Sequence, residues 1–212
     1  MAQTLLSTHT ISSEVSSVDI TSNFDNTYDV YEFHFVDIET GTAWDGKWGF
    51  QVNVDGGSGF NEYITSTYWR LQANESGSHN SMSYQNSWDL TSSTNPNIVD
   101  QHNEQYYQAM NRGGYSDSSG NDGYTPDGSD YLTQDGCHCG ILTIYNPANT
   151  TYNHKFQSIS SGMAGVKNEA DIYAMFVNVS GYIDVNAAID EISFKYHNGT
   201  VDSGVIYMFG IS

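Results

Sequence analysis

The sequence predicts an all-β protein that forms one antiparallel β-sandwich of jelly-roll type with long loop insertions. Three observations lead to this prediction. Apolar strand-length segments recur roughly every 10 to 15 residues, glycine-rich turns separate them, and no segment has a long helical periodicity. Tyr, Phe and Gly number 16, 9 and 20 in 212 residues, with only 3 Pro. This length and composition favour a single domain over residues 1–212.

The first half of the chain predicts six strands. The clearest is 30–38, because Tyr31, Phe33 and Phe35 would share one face while Glu32 and His34 would share the other. A glycine-rich turn at 55–59 ends a strand that begins at Trp48. The remaining strands are predicted at 4–11, 17–20, 48–54, 63–71 and 81–88.

The composition changes between residues 89 and 136, where Asn, Asp, Ser and Gly dominate and apolar residues are sparse. We interpret this segment as a long polar loop excursion within the domain. Only 105–112 has the pattern of a locally ordered piece. Insertions of this length are usually functional or are ordered by a neighbour.

Regular strands resume at 140–145, 153–159, 172–179, 189–196 and 205–211. Ile192, Phe194 and Tyr196 alternate with polar residues, which is typical of a half-buried strand. Turn residues at 197–200 and 202–204 predict the connection to the last strand.

The last strand is apolar on both faces, so we expect both faces to be covered. One of the two could be covered by another molecule. The candidates for an interface with another subunit or another protein are Ile206, Tyr207, Met208 and Phe209.

The chain is strongly acidic, with 6 Lys and Arg against 25 Asp and Glu and a formal charge of −19. Nucleic acid and anionic membranes are therefore not expected as partners. The charge is explained either by solubility or by adaptation to a salty medium, where screening is strong. No apolar run approaches the ~20 residues of a membrane span, and the first residues lack a secretory signal. We expect synthesis in a cytosol without export by the general route.

Two oxygen-rich or sulfur-rich segments could bind metal. The loop after residue 116 is rich in carboxylates and could hold calcium through Asp117, Asp122, Asp127 and Asp130, although its spacing is not that of an EF-hand. The alternative, which is more common for acidic loops rich in Gly and Ser, is a solvated loop that binds no metal. Cys137-His138-Cys139 lacks the second ligand pair of a structural zinc site. We expect two free cysteines with side chains on opposite faces of a strand. We expect no cofactor, and calcium is the one candidate that the sequence offers.

No catalytic motif is present: the sequence has no Gly-x-Ser-x-Gly elbow, no His-Glu-x-x-His and no phosphate-binding loop. No pair among the many carboxylates stands out as that of a glycosidase. The sequence therefore favours a protein that is not an enzyme.

Tryptophan is concentrated in the first half of the chain. Aromatic rings that stack on sugars, beside groups that hydrogen-bond their hydroxyls, are typical of glycan sites. The candidate glycan-binding residues are Trp44, Asp45, Trp48, Trp69 and Trp88. Packing in the core or at a subunit interface is the alternative explanation for these tryptophans.

Several segments also carry a family resemblance. The C-terminal segments are GYIDVNAAIDEISFKY at 181–196, GTVDSG at 199–204 and MFGI at 208–211. Earlier segments are LLS at 5–7, SVDITS at 17–22, YDVYEF at 28–33, VDI at 36–38 and LTIYNP at 142–147. Together they resemble a module of structural proteins from bacteriophages of cyanobacteria and other marine hosts. The similarity spans most of the chain, and 89–136 is the least family-like part.

The resemblance implies a place in the virion, assembled in the host cytoplasm, as a tail-fibre or head-decoration protein. The implied partners are other virion proteins of the capsid or tail and further copies of the chain in a homo-oligomer such as a trimer. A compact domain favours a capsid-decorating or accessory protein on the particle exterior. The alternative is a tail-fibre or receptor-binding module that recognises host surface glycans.

Overall fold

The computed structural model describes residues 2–40, 47–74, 77–78, 80–85, 89–90, 107–112, 137–165, 172–197 and 199–212. All regular elements in these ranges are β-strands, and none of these ranges contains a helix long and apolar enough to cross a bilayer. The strands are β1 (Gln3–Ile11), β2 (Val18–Ile20), β3 (Val30–Thr40), β4 (Lys47–Val54), β5 (Ile64–Asn74), β6 (Asn80–Tyr84), β7 (Gln108–Arg112), β8 (His138–Tyr145), β9 (His154–Gly165), β10 (Ile172–Ile183), β11 (Ile189–Tyr196) and β12 (Val201–Ile211).

The strands form two antiparallel sheets, which confirms the all-β prediction. The larger sheet has eight strands in the order β1-β12-β3-β8-β9-β10-β5-β6, and the smaller has four in the order β2-β11-β4-β7. The sheets face each other in a sandwich-like arrangement and share one core. Phe33 on β3 lies 5.3 Å from Phe194 on β11, and Phe156 on β9 lies 5.2 Å from Phe50 on β4, between ring centroids.

Side-chain alternation decides which residues enter the core. On β3, Tyr31, Phe33 and Phe35 are buried, and the residues between them are partly exposed, as the sequence predicts. On β12, Ile206 and Met208 are buried, whereas the side chains that alternate with them point out of the sandwich and are partly exposed. Among the described residues, the last strand is therefore fully covered on one face only.

Trp48 lies at the centre of the core with none of its surface exposed. Its ring centroid is 5.6 Å from Phe35, 5.9 Å from Phe194, 5.4 Å from Tyr196 and 5.5 Å from the imidazole of His138. Aromatic pairs of this kind contribute about 0.5–1.5 kcal/mol each beyond the burial of their apolar surface. This cluster joins the two sheets.

The segment 202–204, predicted as a turn, is part of β12, so that prediction is wrong. The pairing of β12 with β3 shifts register on both sides of Ser203, and Gly204 adopts a φ of 132°. On β3, Asp37 bulges with a φ of 50°. Gly and Ser tolerate such irregular backbone, so residues that are typical of turns here form a bulged strand.

Gly181 occupies a position of the larger sheet that has no room for a side chain. A Cβ at Gly181 on β10 would overlap the carbonyl oxygen of Thr65 and would lie 2.9 Å from the Phe156 ring. The neighbouring strands therefore close around a position that has no side chain.

Other predicted elements agree with the structure or extend further. The strand predicted at 153–159 continues to Gly165, and the one at 172–179 continues to Ile183. Of the piece predicted to be locally ordered at 105–112, Gln108–Arg112 form β7 at the edge of the smaller sheet. The predicted strand at 81–88 is described up to residue 85, and most of the polar excursion lies outside the described residues.

The two ends of the described chain lie side by side. β1 and β12 are neighbours, and the backbone N–H of Ala2 donates to the carbonyl of Ser212 at 3.2 Å. The N–H of Ser212 donates back to the carbonyl of Ala2 at 3.4 Å. Both ends are thereby fixed to the larger sheet.

Candidate functional site

The structure separates the tryptophans that the sequence groups as glycan-binding. Trp48 is fully buried, so it is inaccessible to a ligand. Trp69 lies on the outer face of β5, and 45% of its surface is exposed. Trp44, Asp45 and Trp88 lie outside the described residues. Of the two described tryptophans, only Trp69 is available for recognition.

Trp69 belongs to a continuous outward surface on β8, β9, β10, β5 and β6, which we call the neutral face. It consists of the odd-numbered residues of 139–145, 155–163 and 65–73 and the even-numbered residues of 174–182 and 80–84. These positions are exposed or partly exposed, and on β8, β9 and β10 the alternate residues point into the core.

Apolar side chains concentrate in two adjacent rows that cross the neutral face. Strand pairing aligns Ile141, Ile159, Asn178, Trp69 and Tyr84 in one row. The Trp69 and Tyr84 ring centroids are 5.7 Å apart, with the ring planes inclined at 56°. A ridge of exposed aromatic and aliphatic surface therefore begins at the edge strand β6 and runs inward.

The second row contains Cys139, Ser161, Phe176, Leu71 and Met82. Met82 is the most exposed of these, at 71%. The two rows together place the largest apolar side chains of the face on β10, β5 and β6.

Lys155 is the only charged residue of the neutral face, although the chain carries a net charge of −19. Its ammonium group donates to the carbonyl of Asn153 at 2.9 Å and lies 5.4 Å from the centre of the Tyr182 ring. The cation is therefore held by neighbours within its own chain.

Carboxylates occur at the borders of the neutral face rather than within it. The hydroxyl of Tyr84 donates a hydrogen bond to Asp89, and this bond, followed by burial, raises the pKa of Tyr84 above its ordinary value. On β3, beside the face, Glu32 accepts a hydrogen bond from Gln3 and lies 3.0 Å from the imidazole of His34.

The neutral face is large. Five strands spaced about 4.8 Å apart and about 27 Å long give a footprint of roughly 650 Å². Its apolar part lies mainly in the two rows, and Thr, Ser, Gln and Asn side chains fill much of the rest. Exposed apolar patches of a few hundred Å² on soluble proteins are often functional. Sequence reasoning missed the face because its strands are far apart in the chain. A local signal existed, since every second residue from Thr65 to Ala73 is uncharged.

The interface candidates on β12 divide between the two sides of the sheet. Ile206 and Met208 are fully buried in the core of the chain, so neither is accessible to a partner. Tyr207 and Phe209 point outward, and the Phe209 ring packs 4.7 Å from His34 between ring centroids. Only this outward pair remains available for an interface.

Both cysteines lie on the same side of the sheet, so our expectation of opposite faces is wrong. Residues two apart in a strand share a face. The Cys137 thiol donates to Asp37 Oδ1 at 3.8 Å and the Cys139 thiol to the same oxygen at 3.5 Å, while the Asp37 N–H donates to Cys139 Sγ at 3.4 Å. The bulge at Asp37 places its carboxylate beside both sulfurs.

This environment disfavours a thiolate at Cys137. Burial raises the pKa of the thiol above its ordinary value, and the neighbouring Asp37 carboxylate raises it further. A thiol held in its protonated form is a weak nucleophile.

The described residues contain no group of three or more His, Cys, Asp and Glu side chains arranged to hold a metal ion. The calcium candidates Asp117, Asp122, Asp127 and Asp130 lie outside the described residues. The calcium site therefore remains a prediction.

His138, between the two cysteines, points into the core and is 1% exposed. Its Nδ1 lies 3.3 Å from the hydroxyl oxygen of Tyr196, whose other neighbour is the carbonyl of Ile38 at 3.2 Å. Burial lowers the pKa of His138 to about 3 and raises that of Tyr196 well above its ordinary value. Both side chains are therefore neutral members of the core.

The chain matches no protein-family model, and comparisons with curated proteins and with solved structures gave no significant match.

Proposed function

We propose that the chain is a non-enzymatic structural protein of a bacteriophage particle, placed on the exterior as a capsid-decorating or accessory protein. The family resemblance of the sequence suggests virion membership. The neutral face supports a role in assembly, and the order of the strands supports a fold that viral proteins use. The neutral face is the observation that carries the proposal.

The neutral face is difficult to explain in a protein that acts alone. Exposed apolar surface is unfavourable in water. The chain has 25 acidic residues, so charged side chains could have occupied these exposed positions. Charge depletion together with enrichment in Trp, Tyr, Phe and Met is typical of the centre of a protein–protein interface. The acidic residues elsewhere would keep separate copies soluble until they assemble.

The strand order supports a jelly roll widened by two extra strand pairs. Without β5, β6, β9 and β10, the sheets have the orders β1-β12-β3-β8 and β2-β11-β4-β7. Numbered one to eight, the remaining strands follow the orders 1-8-3-6 and 2-7-4-5, as in two interleaved Greek keys. Viral capsid and lectin domains use this architecture. The extra strands extend the larger sheet beyond β8 and carry most of the neutral face.

The number of copies per particle tests this proposal. Purified particles of the phage that encodes the chain would be analysed by quantitative mass spectrometry, with the major capsid protein as the internal reference. A copy number comparable to that of the capsid protein is expected. A copy number comparable to that of tail proteins would place the chain in the tail, and its absence from particles would refute virion membership.

Glycan recognition is the second candidate function, and the row that contains Trp69 favours it. Trp69 and Tyr84 offer exposed ring surface, and Asn178, beside Trp69 on β10, offers an amide for sugar hydroxyls. Such a site would suit uncharged sugars. A glycan array probed with the native chain and with Trp69→Ala tests this function. Binding that is lost in the variant is expected, and binding that is unchanged in the variant would exclude this site.

A further inference from the structure

We propose that the neutral face is covered by the same face of a second copy, so that the chain forms a twofold-symmetric dimer. This inference rests on the proposed role of the face in assembly. It does not depend on where in a particle the chain lies.

Charge is the first reason. Two chains of −19 repel each other, and the repulsion is smallest where the contact region itself carries no carboxylate. The neutral face is such a region, and Glu32, Asp37 and Asp89 lie at its borders. A basic partner would be drawn to the acidic residues elsewhere, so the partner of this face is itself uncharged, and a second copy presents a surface of that kind.

Area is the second reason. A stable protein–protein interface buries about 800 Å² on each partner, and the range extends down to about 600 Å². The footprint of roughly 650 Å² that strand spacing gives for the neutral face lies within this range. Identical patches that meet about a twofold axis form a closed pair, the most common symmetry of soluble oligomers.

The side chains are the third reason. Interface energy concentrates in Trp and Tyr residues surrounded by less important contacts. Trp69 has Tyr84 and Asn178 as its cross-strand neighbours, with Leu71 on the same strand. Lys155 contacts the Asn153 carbonyl and the Tyr182 ring of its own chain, so it does not need a carboxylate from the partner.

The mass of the purified full chain in solution tests the inference. Analytical ultracentrifugation would compare the native chain with Trp69→Ala and Met82→Glu, and thermal melting would verify that both variants fold. We expect a dimer whose dissociation constant rises by about tenfold or more in each variant. The matched control is Tyr152→Ala, because Tyr152 is 70% exposed but lies outside the neutral face, and it should leave the dissociation constant unchanged.

Salt provides an independent readout. Between about 0.05 M and about 0.5 M NaCl the dimer should become tighter, because screening weakens the repulsion between the two acidic chains. An interface held by opposite charges would become weaker over the same range. The observation of a monomer at all concentrations, of a dimer insensitive to both variants, or of a trimer would overturn the inference. A monomeric chain that is nevertheless abundant in particles would leave the proposed function intact, whereas a dimer that is absent from particles would refute only virion membership.

Discussion

The hydroxyl oxygen of Tyr196 lies 3.3 Å from Nδ1 of His138 in the centre of the core, where neither side chain reaches solvent. The imidazole therefore remains neutral in the folded protein. It is a titratable group inside the sandwich, so the stability of the fold should depend on pH.

Stability should decrease in acid partly because of His138. The pKa of this imidazole is about 3 in the folded chain, against about 6.5 in the unfolded chain, so the unfolded chain binds the proton more readily. The contribution is fully present above pH 6.5 and is lost as the pH falls towards 3. It amounts to at most about 1.4 kcal/mol of unfolding free energy per pH unit.

Urea unfolding of the native chain and of His138→Gln between about pH 7 and about pH 4.5 measures this contribution. The carboxylates titrate in both proteins, so the difference between their pH slopes isolates His138. Ser180→Ala, a change on the outer face of β10 that removes no titratable group, should keep the native slope. Equal slopes for His138→Gln and the native chain would contradict the prediction.

The two described tryptophans should differ in their effect on stability. Trp48→Ala removes the centre of the aromatic cluster and should lower the free energy of unfolding by about 3–5 kcal/mol. Trp69→Ala removes an exposed side chain and should cost less than about 1 kcal/mol when measured on the monomer. Denaturant unfolding at low protein concentration separates the two. Similar losses in both variants would mean that Trp69 also contributes to the core.

His154 should be a strong point of attachment between two loops. Its Nδ1 lies 3.1 Å from the carbonyl oxygen of Asn146, and its Nε2 lies 2.8 Å from that of Ala187, with the ring buried. His154→Ala removes the donor and the packed ring and should cost about 2–4 kcal/mol in thermal or urea unfolding. The adjacent Asn153→Ala, which loses an exposed hydrogen bond to Asp184, should cost below about 1 kcal/mol. A small effect of His154→Ala would show that the loops are held by other contacts.

Close packing at Gly181 should be sensitive to one added methyl group. The Cβ of Gly181→Ala would meet the Thr65 carbonyl and the Phe156 ring, so β10 would have to move away from β5. Overpacking of this kind costs about 1–3 kcal/mol. Ser180→Ala, the neighbouring outward residue, serves as the control and should change the midpoint of unfolding little. An unchanged midpoint in the glycine variant would show that the sheet adjusts without strain.

Cys137 should react slowly with alkylating reagents, and Asp37→Asn should accelerate the reaction. The substitution removes the carboxylate that helps to raise the pKa of the thiol, while burial, the larger cause, remains. The expected change is therefore a several-fold increase in rate at constant pH rather than full activation. Iodoacetamide labelling followed by peptide mass spectrometry measures Cys137 separately from Cys139. A rate that falls in the variant would show that the carboxylate acts on the sulfur in another way.

The positions of the strands could be predicted from the sequence, but their assignment to sheets could not. Alternation along β3 predicts which side chains are buried, since the period of two is a property of the strand itself. On β11 it predicts the burial of Ile192, Phe194 and Tyr196, but Ser193 between them is buried as well, so that strand is more than half buried. In β5, however, Tyr68 and Trp69 are adjacent aromatics, and only the pairing with β6 and β10 shows that Tyr68 points inward. The same local ambiguity means that the sequence does not separate Trp48 from Trp69, although they lie on different sheets.

The neutral face could be predicted from the sequence even less well than the assignment of strands to sheets, because it forms only in the folded sheet. Its residues come from strands between 65 and 182, and they become neighbours only when β5 and β6 add to the outside of β10. No window of the sequence contains the face. The error at Cys137 and Cys139 has a different cause, because strand geometry alone places residues two apart on one side.

The reciprocal hydrogen bonds between Ala2 and Ser212 have a practical consequence. A linker of a few residues would join these positions without disturbing β1 or β12, and new ends could be opened at the exposed turn around Gly56. Such a circularly permuted chain should fold to the same sandwich, and the domain could be inserted as a unit into a surface loop of another protein.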